Sequence, residues 1–269
     1  MLEGISTFCF VASYTVALAL ELVQLARPGK VPRIVGLIFG VAGLLAQTLF
    51  LADKAPSLST HFGSLLVLAW VLAVFYLYGA VHHRQLAWGV FVLPVVLGLI
   101  GLAYLDQNSF TRGSWLSFVE ELRGDGFWSI VHGAVLLLAA VGVCVGFVAS
   151  VMYLIQARRL KAKVMPGKGI RLLSLERLEQ MIRRAITWSF PLLTVGVLVG
   201  VILMIQRAPE LRGWTDQRII GTAILWVVFA LLMYLRYGYH LRGRQLALLT
   251  IVTFALFVAT LTSSHQFLR

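Results

Sequence analysis

Uncharged, apolar runs of about 18 to 22 residues recur along this chain, the length that crosses a hydrocarbon core of about 30 Å at about 1.5 Å per residue. In lipid, each backbone N–H and C=O must be satisfied inside the spanning structure, which leaves helices or a closed barrel. The runs lack the alternating pattern of barrel strands. They predict an all-α fold, a polytopic transmembrane helical bundle of about eight spans. Composition agrees: 59% of residues are hydrophobic and only 13% charged, against roughly 25% charged in a soluble domain. The spans are expected near 4–25, 33–52, 61–81, 86–105, 127–156, 187–206, 218–238 and 244–262, with 1–269 forming a single membrane domain. The first run continues to about Leu25 and has no basic n-region, so it reads as a retained span and not a cleaved signal peptide.

Charge then sets orientation. The net charge is +12, and in a soluble protein that would suggest nucleic acid. Here the basic residues sit between apolar runs, so a membrane surface is the expected partner and nucleic acid is not. The segments after spans 1, 3, 5 and 7 hold 16 of the 23 Lys and Arg residues. Nine of them lie between Arg158 and Arg184. That side is predicted to be cytoplasmic. Both termini are then extracytoplasmic, and the setting is expected to be a bacterial cytoplasmic (inner) membrane. Cys9 and Cys144 lie inside apolar runs and no CxxC occurs, so both thiols read as small hydrophobes.

Two segments between spans carry pattern of their own. In 172–186, Leu172, Leu175, Leu178, Met181, Ile182 and Ala185 form a helical stripe, with Arg177, Glu179, Arg183 and Arg184 elsewhere. An inner amphipathic helix lying in the interface is expected. Its bland role is anchoring to lipid; the functional alternative is docking a partner through Arg177, Arg183 and Arg184. The outer loop 106–126 interleaves Trp115 and Phe118 with Glu120, Glu121 and Arg123. A short interfacial helix is expected there, either structural or partly covering a site above the bilayer.

Polar groups within spans are few. Glu21 is either at an interface or part of a relay, and Gln47 reads as an interhelical hydrogen bond. The histidines say more. His61, His132 and His265 all fall near the outer ends of their spans. Imidazole binds haem iron or transition metals, and two of them on different helices can clamp a flat cofactor. Helix-end histidines also occur without any ligand, and the spacing does not choose between these. The loop 207–218 holds Arg212, Trp214, Asp216 and Arg218. It is either an ordinary outer loop with an interfacial indole or a surface that stacks a planar ring and meets its acidic groups. No HExxH or GxSxG occurs, so a metalloprotease or serine hydrolase is not expected. Transporter-like paired, interrupted spans are also missing.

The stretch from Gly213 onward resembles the cytochrome c assembly membrane proteins, the haem-handling family of CcsA and CcmC types. The words that carry the resemblance are GWTDQR at 213–218, AILWVVFALLMYLRYG at 223–238, LRGRQLALL at 241–249 and SSHQF at 263–267. FWSIVHGAVLLL around His132, YLIQARRLKAK at 153–163 and LERLEQMIRRAITWSFPLLTVGVLVG at 175–200 are also similar to the family, particularly to its short YpjD/HemX-like subgroup. The resemblance implies that His132 and His265 are axial ligands of haem b near the outer surface. It implies a WWD-like loop at 207–218 contacting the porphyrin through Arg212, Trp214, Asp216 and Arg218, with His61 as a further outer-side candidate. The implied function is holding or delivering haem during cytochrome assembly, without bond chemistry and so without enzyme activity. The loop departs from the family pattern in having one Trp and one Asp. That departure suits the alternative, a non-catalytic regulatory or accessory protein, at least as well as a complete cytochrome c synthase. Its basic cytoplasmic surface would then act on a haem-synthesis enzyme or on respiratory-complex assembly factors.

Overall fold

The structure is a computed structural model, and it describes residues 7–27, 29–54, 61–82, 88–105, 127–163, 173–207, 217–238 and 243–263. All the regular elements among them are helices. They are α1 (Thr7–Ala26), α2 (Lys30–Lys54), α3 (His61–His82), α4 (Gly89–Leu105), α5 (Phe127–Lys161), α6 (Leu175–Arg207), α7 (Gln217–Gly238) and α8 (Arg244–Ser263). Seven of these are long and apolar enough to cross a membrane; α4 is apolar but has 17 residues. The exterior agrees with lipid as the solvent. On α2, Val31, Ile34, Ile38, Val41, Leu45 and Leu49 are all exposed, a stripe that water would not tolerate on a monomer. The expected outer helix in 106–126 lies outside the described residues.

The helices fall into two compact units. In the first, α1 packs on α2 and α4, and α3 on α2 and α4. The opposite face of α2 is a row of small residues, Gly36, Gly40 and Gly43, followed by Gln47 and Phe50. A side chain at Gly43 would stand 2.8 Å from the Tyr14 ring, and one at Gly40 2.8 Å from the Tyr76 ring. Small residues therefore let aromatic rings from α1 and α3 close on α2. The Tyr14 hydroxyl donates to Gln47 Oε1 at 2.8 Å, and Gln47 Nε2 donates to Leu66 O at 3.1 Å. Both side chains are fully buried, and three helices share one satisfied polar chain. The expected interhelical role of Gln47 is what the structure shows. Glu21 is half-buried, with the Tyr76 hydroxyl donating to it at 3.4 Å.

The second unit holds α5 to α8, with α7 packed on α8 and α6 on both. Its core centres on Ala149, Ile182, Ile186, Leu232, Leu246 and Ala247. Gly142 and Gly146 bring α5 against Ser189 and against Ala185 and Thr250. Phe147 stacks on Phe254 with ring centroids 4.0 Å apart. Gly243 has φ +65 and lies against the Tyr153 hydroxyl. The turn before α8 thus needs both glycine's freedom at positive φ and its missing side chain.

One expectation needs correcting here. Residues 172–186 were expected to form a separate interfacial helix, but Leu175–Arg207 is one unbroken helix of 33 residues. The stripe is real, with Leu178, Ile182, Ala185 and Ile186 buried, but it packs within the unit. The helix runs through the charges, and one of them, Arg183, is bonded locally. Arg183 pairs with Glu179 at 2.5 Å, one turn away. Arg236 of α7 donates through Nη1 to Arg183 O at 2.8 Å and also to Thr187 Oγ1.

Candidate functional site

His132 lies in the second turn of α5, just inside an exposed aromatic pair, Phe127 and Trp128. Such residues mark the membrane–water boundary. Its ring rests on α6. Nδ1 donates to Gly196 O at 2.8 Å. A carbonyl oxygen can only accept, so the proton is on Nδ1, and in a neutral imidazole Nε2 keeps its lone pair. A side chain at Gly200 would stand 2.7 Å from His132 Cε1, and one at Gly196 2.5 Å from Leu136 Cδ2. Gly196-Val-Leu-Val-Gly200 is therefore a seat for two residues of α5 one turn apart, His132 and Leu136.

On its other side the same stretch of α6 is held by α7. Trp226 Nε1 donates to Thr194 Oγ1 at 3.0 Å, and Thr194 donates to Phe190 O at 2.9 Å. Further along, a side chain at Gly221 of α7 would stand 3.2 Å from Thr260 Cγ2 of α8. Successive helices of this unit run in opposite directions. The start of α5, the end of α6, the start of α7 and the end of α8 therefore share one end of the unit, with His132 and Thr260 near the same level.

The other sequence candidates fare differently. His61 opens α3 in the first unit, and its side chain lies outside the described residues. Arg218 belongs to the first turn of α7, again without a described side chain. Arg212, Trp214, Asp216 and His265 lie outside the described residues altogether. Arg177 and Arg184 are exposed on α6, while Arg183 is half-buried and paired. Sequence reasoning missed the seat itself. Its signal was present in the small-xxx-small spacing of Gly196 and Gly200. Arg236 as a cross-link to α6 had no sequence signal.

Fold and seam together define a multi-pass membrane protein that presents a tautomer-fixed imidazole where two helices meet. The model of the cytochrome c assembly protein family matches residues 58–265, and the chain belongs to that family. Similar proteins include cytochrome c biogenesis protein CcsA of Gloeobacter violaceus, 24% identical over 266 residues, covering 81% of this chain and 77% of that protein. CcsA of Chlamydomonas reinhardtii is 25% identical over 233 residues, covering 83% of this chain and 62% of that protein. CcsA of Trieres chinensis is 24% identical over 253 residues, covering 84% and 79%. No solved structure matches the chain.

Proposed function

We propose that this chain holds haem b at the outer end of its second unit and passes it on in cytochrome c biogenesis, acting as a carrier and not as an enzyme. The observation that carries the reading is the hydrogen bond from His132 Nδ1 to Gly196 O. Metal-ligating histidines nearly always donate their other ring nitrogen in this way, which fixes the tautomer and raises ligand basicity. His132 Nε2 would be one axial ligand. His265 would be the other; α8 ends at Ser263, two residues earlier, at the end of the unit that carries His132. Arg212 and Arg218 would meet the propionates, and Trp214 and Asp216 would lie against the macrocycle. Bound haem supplies the iron that a cytochrome needs; the chain supplies ligands, orientation and a lipid-embedded seat. The setting is the cytoplasmic membrane of a bacterium, with partners among cytochrome assembly factors, and the short YpjD/HemX-like subgroup is the proposed affiliation. The test is an absorption spectrum of the detergent-purified protein with iron quantification. His132→Ala with His265→Ala should remove the Soret band while the protein stays folded. An unchanged spectrum in the double variant defeats the reading.

A second reading is favoured by the length of α6. Residues 175–187 are more helix than a bilayer needs, and Arg177 is exposed on them. This end would dock a haem-synthesis enzyme or an assembly factor, with no haem traffic through the chain. Arg177→Glu should then abolish co-purification of that partner and leave haem content intact. Co-purification that survives the substitution removes this alternative.

A further inference from the structure

The exposed face of α6 records where the bilayer ends. The helix has 33 residues, about 50 Å at about 1.5 Å per residue, against a hydrocarbon core of about 30 Å. About 20 Å must therefore stand outside the core. Along the exposed face, Arg177, Gln180 and Arg184 are polar, whereas Val195, Leu198 and Ile202 are apolar. Trp188, 70% exposed, stands at the change. From Trp188 to Arg207 the helix rises about 29 Å, the thickness of the core. Trp188 is thus at the boundary, and Arg184, one turn further out by about 6 Å, is at headgroup depth.

Among the described residues, not all of the positive charge at that depth meets an acid. Glu179 is engaged by Arg183 at 2.5 Å. Arg236 uses Nη1 on Arg183 O and Thr187 Oγ1. Arg184 is exposed and has no acidic partner among the described residues. A guanidinium at headgroup depth, above an indole and an apolar ridge, matches an anionic phospholipid part by part. The phosphate diester suits the fork of the guanidinium. The ester-bearing glycerol suits an amphipathic indole, and a hydrocarbon chain suits the ridge.

The geometry points to a site for one anionic phospholipid on α6, with its phosphate on Arg184, its glycerol at Trp188 and an acyl chain along Pro191, Val195 and Leu198. The site is independent of haem binding. The test uses the full-length protein in phosphatidylcholine vesicles containing either dibrominated phosphatidylglycerol or, at the same mole fraction, dibrominated phosphatidylcholine. The Trp188 signal is the fluorescence lost in Trp188→Phe. Its quenching should report about fivefold enrichment of the anionic lipid, the effect of one favourable basic contact. Arg184→Gln should bring the two lipids to parity, and Arg177→Gln, about 10 Å further out along the helix, should leave the preference in place. Quenching of the other tryptophans, unchanged across the variants, reports intact folding. Equal quenching by both lipids in the parent protein overturns the site. So does a preference that survives Arg184→Gln, or an equal drop in both arginine variants, which would reduce the effect to general surface charge.

Discussion

Gly200→Ala is the sharpest probe of the seat under His132. The added methyl would stand 2.7 Å from Cε1, 3.2 Å from Nδ1 and 3.6 Å from Nε2. Carbon–carbon contacts settle at about 3.5–4.0 Å, so the ring or the helix must move by roughly 1 Å. The ring is tied to Gly196 O at 2.8 Å, and the same displacement stretches that bond beyond useful length. Overpacking of this kind costs about 1–3 kcal/mol. Loss of the outer partner of a metal-ligating histidine typically weakens metal affinity by about 10–100-fold. The assay is haem titration of the purified apoprotein, followed at the Soret band. Gly133→Ala is the matched control, because a side chain there meets nothing within 4 Å. The effect must also act through the imidazole, so Gly200→Ala should add little to His132→Ala. A folded Gly200→Ala protein with parental affinity and spectrum refutes the reasoning. If His132→Ala weakens binding all the same, the ligand assignment survives and only the seat is lost.

Two further substitutions test the packing of each unit. Gln47→Leu removes both the acceptor of the buried Tyr14 hydroxyl and the donor to Leu66 O, and should lower stability to detergent unfolding by about 1–3 kcal/mol. Tyr14→Phe in that background should recover part of the loss, and no recovery would mean that the pair is not coupled. Arg236→Gln should weaken the join between α6 and α7 by about 1–2 kcal/mol, with faster hydrogen exchange confined to residues around 183–187 and 232–238. Uniform acceleration across the unit would contradict a local cross-link.

The spans were legible because their signal is length, and length is what a hydrocarbon core selects. The division between span 6 and a separate inner helix was not. The 3.6-residue stripe of Leu178, Ile182 and Ala185 is the same whether the helix lies on lipid or packs against α7 and α8. A hydropathy window stops at Arg183 and Arg184, but the backbone has no reason to stop there. Nothing in the sequence says that Arg236, 53 residues on, bonds Arg183 O. His132 was legible as a residue type at a span's outer end. Its partner was not, since a backbone carbonyl 64 residues away leaves no side-chain signature. Only the spacing of Gly196 and Gly200 hinted that something must approach there.

An imidazole bonded at one nitrogen has already surrendered its ring flip and most of its rotamers. Immobilising a comparable side chain at the moment of binding costs about 0.5–1.5 kcal/mol. The fold of α5 against α6 settles that cost in advance at His132. Whatever electrophile the remaining lone pair meets, it meets a stationary target.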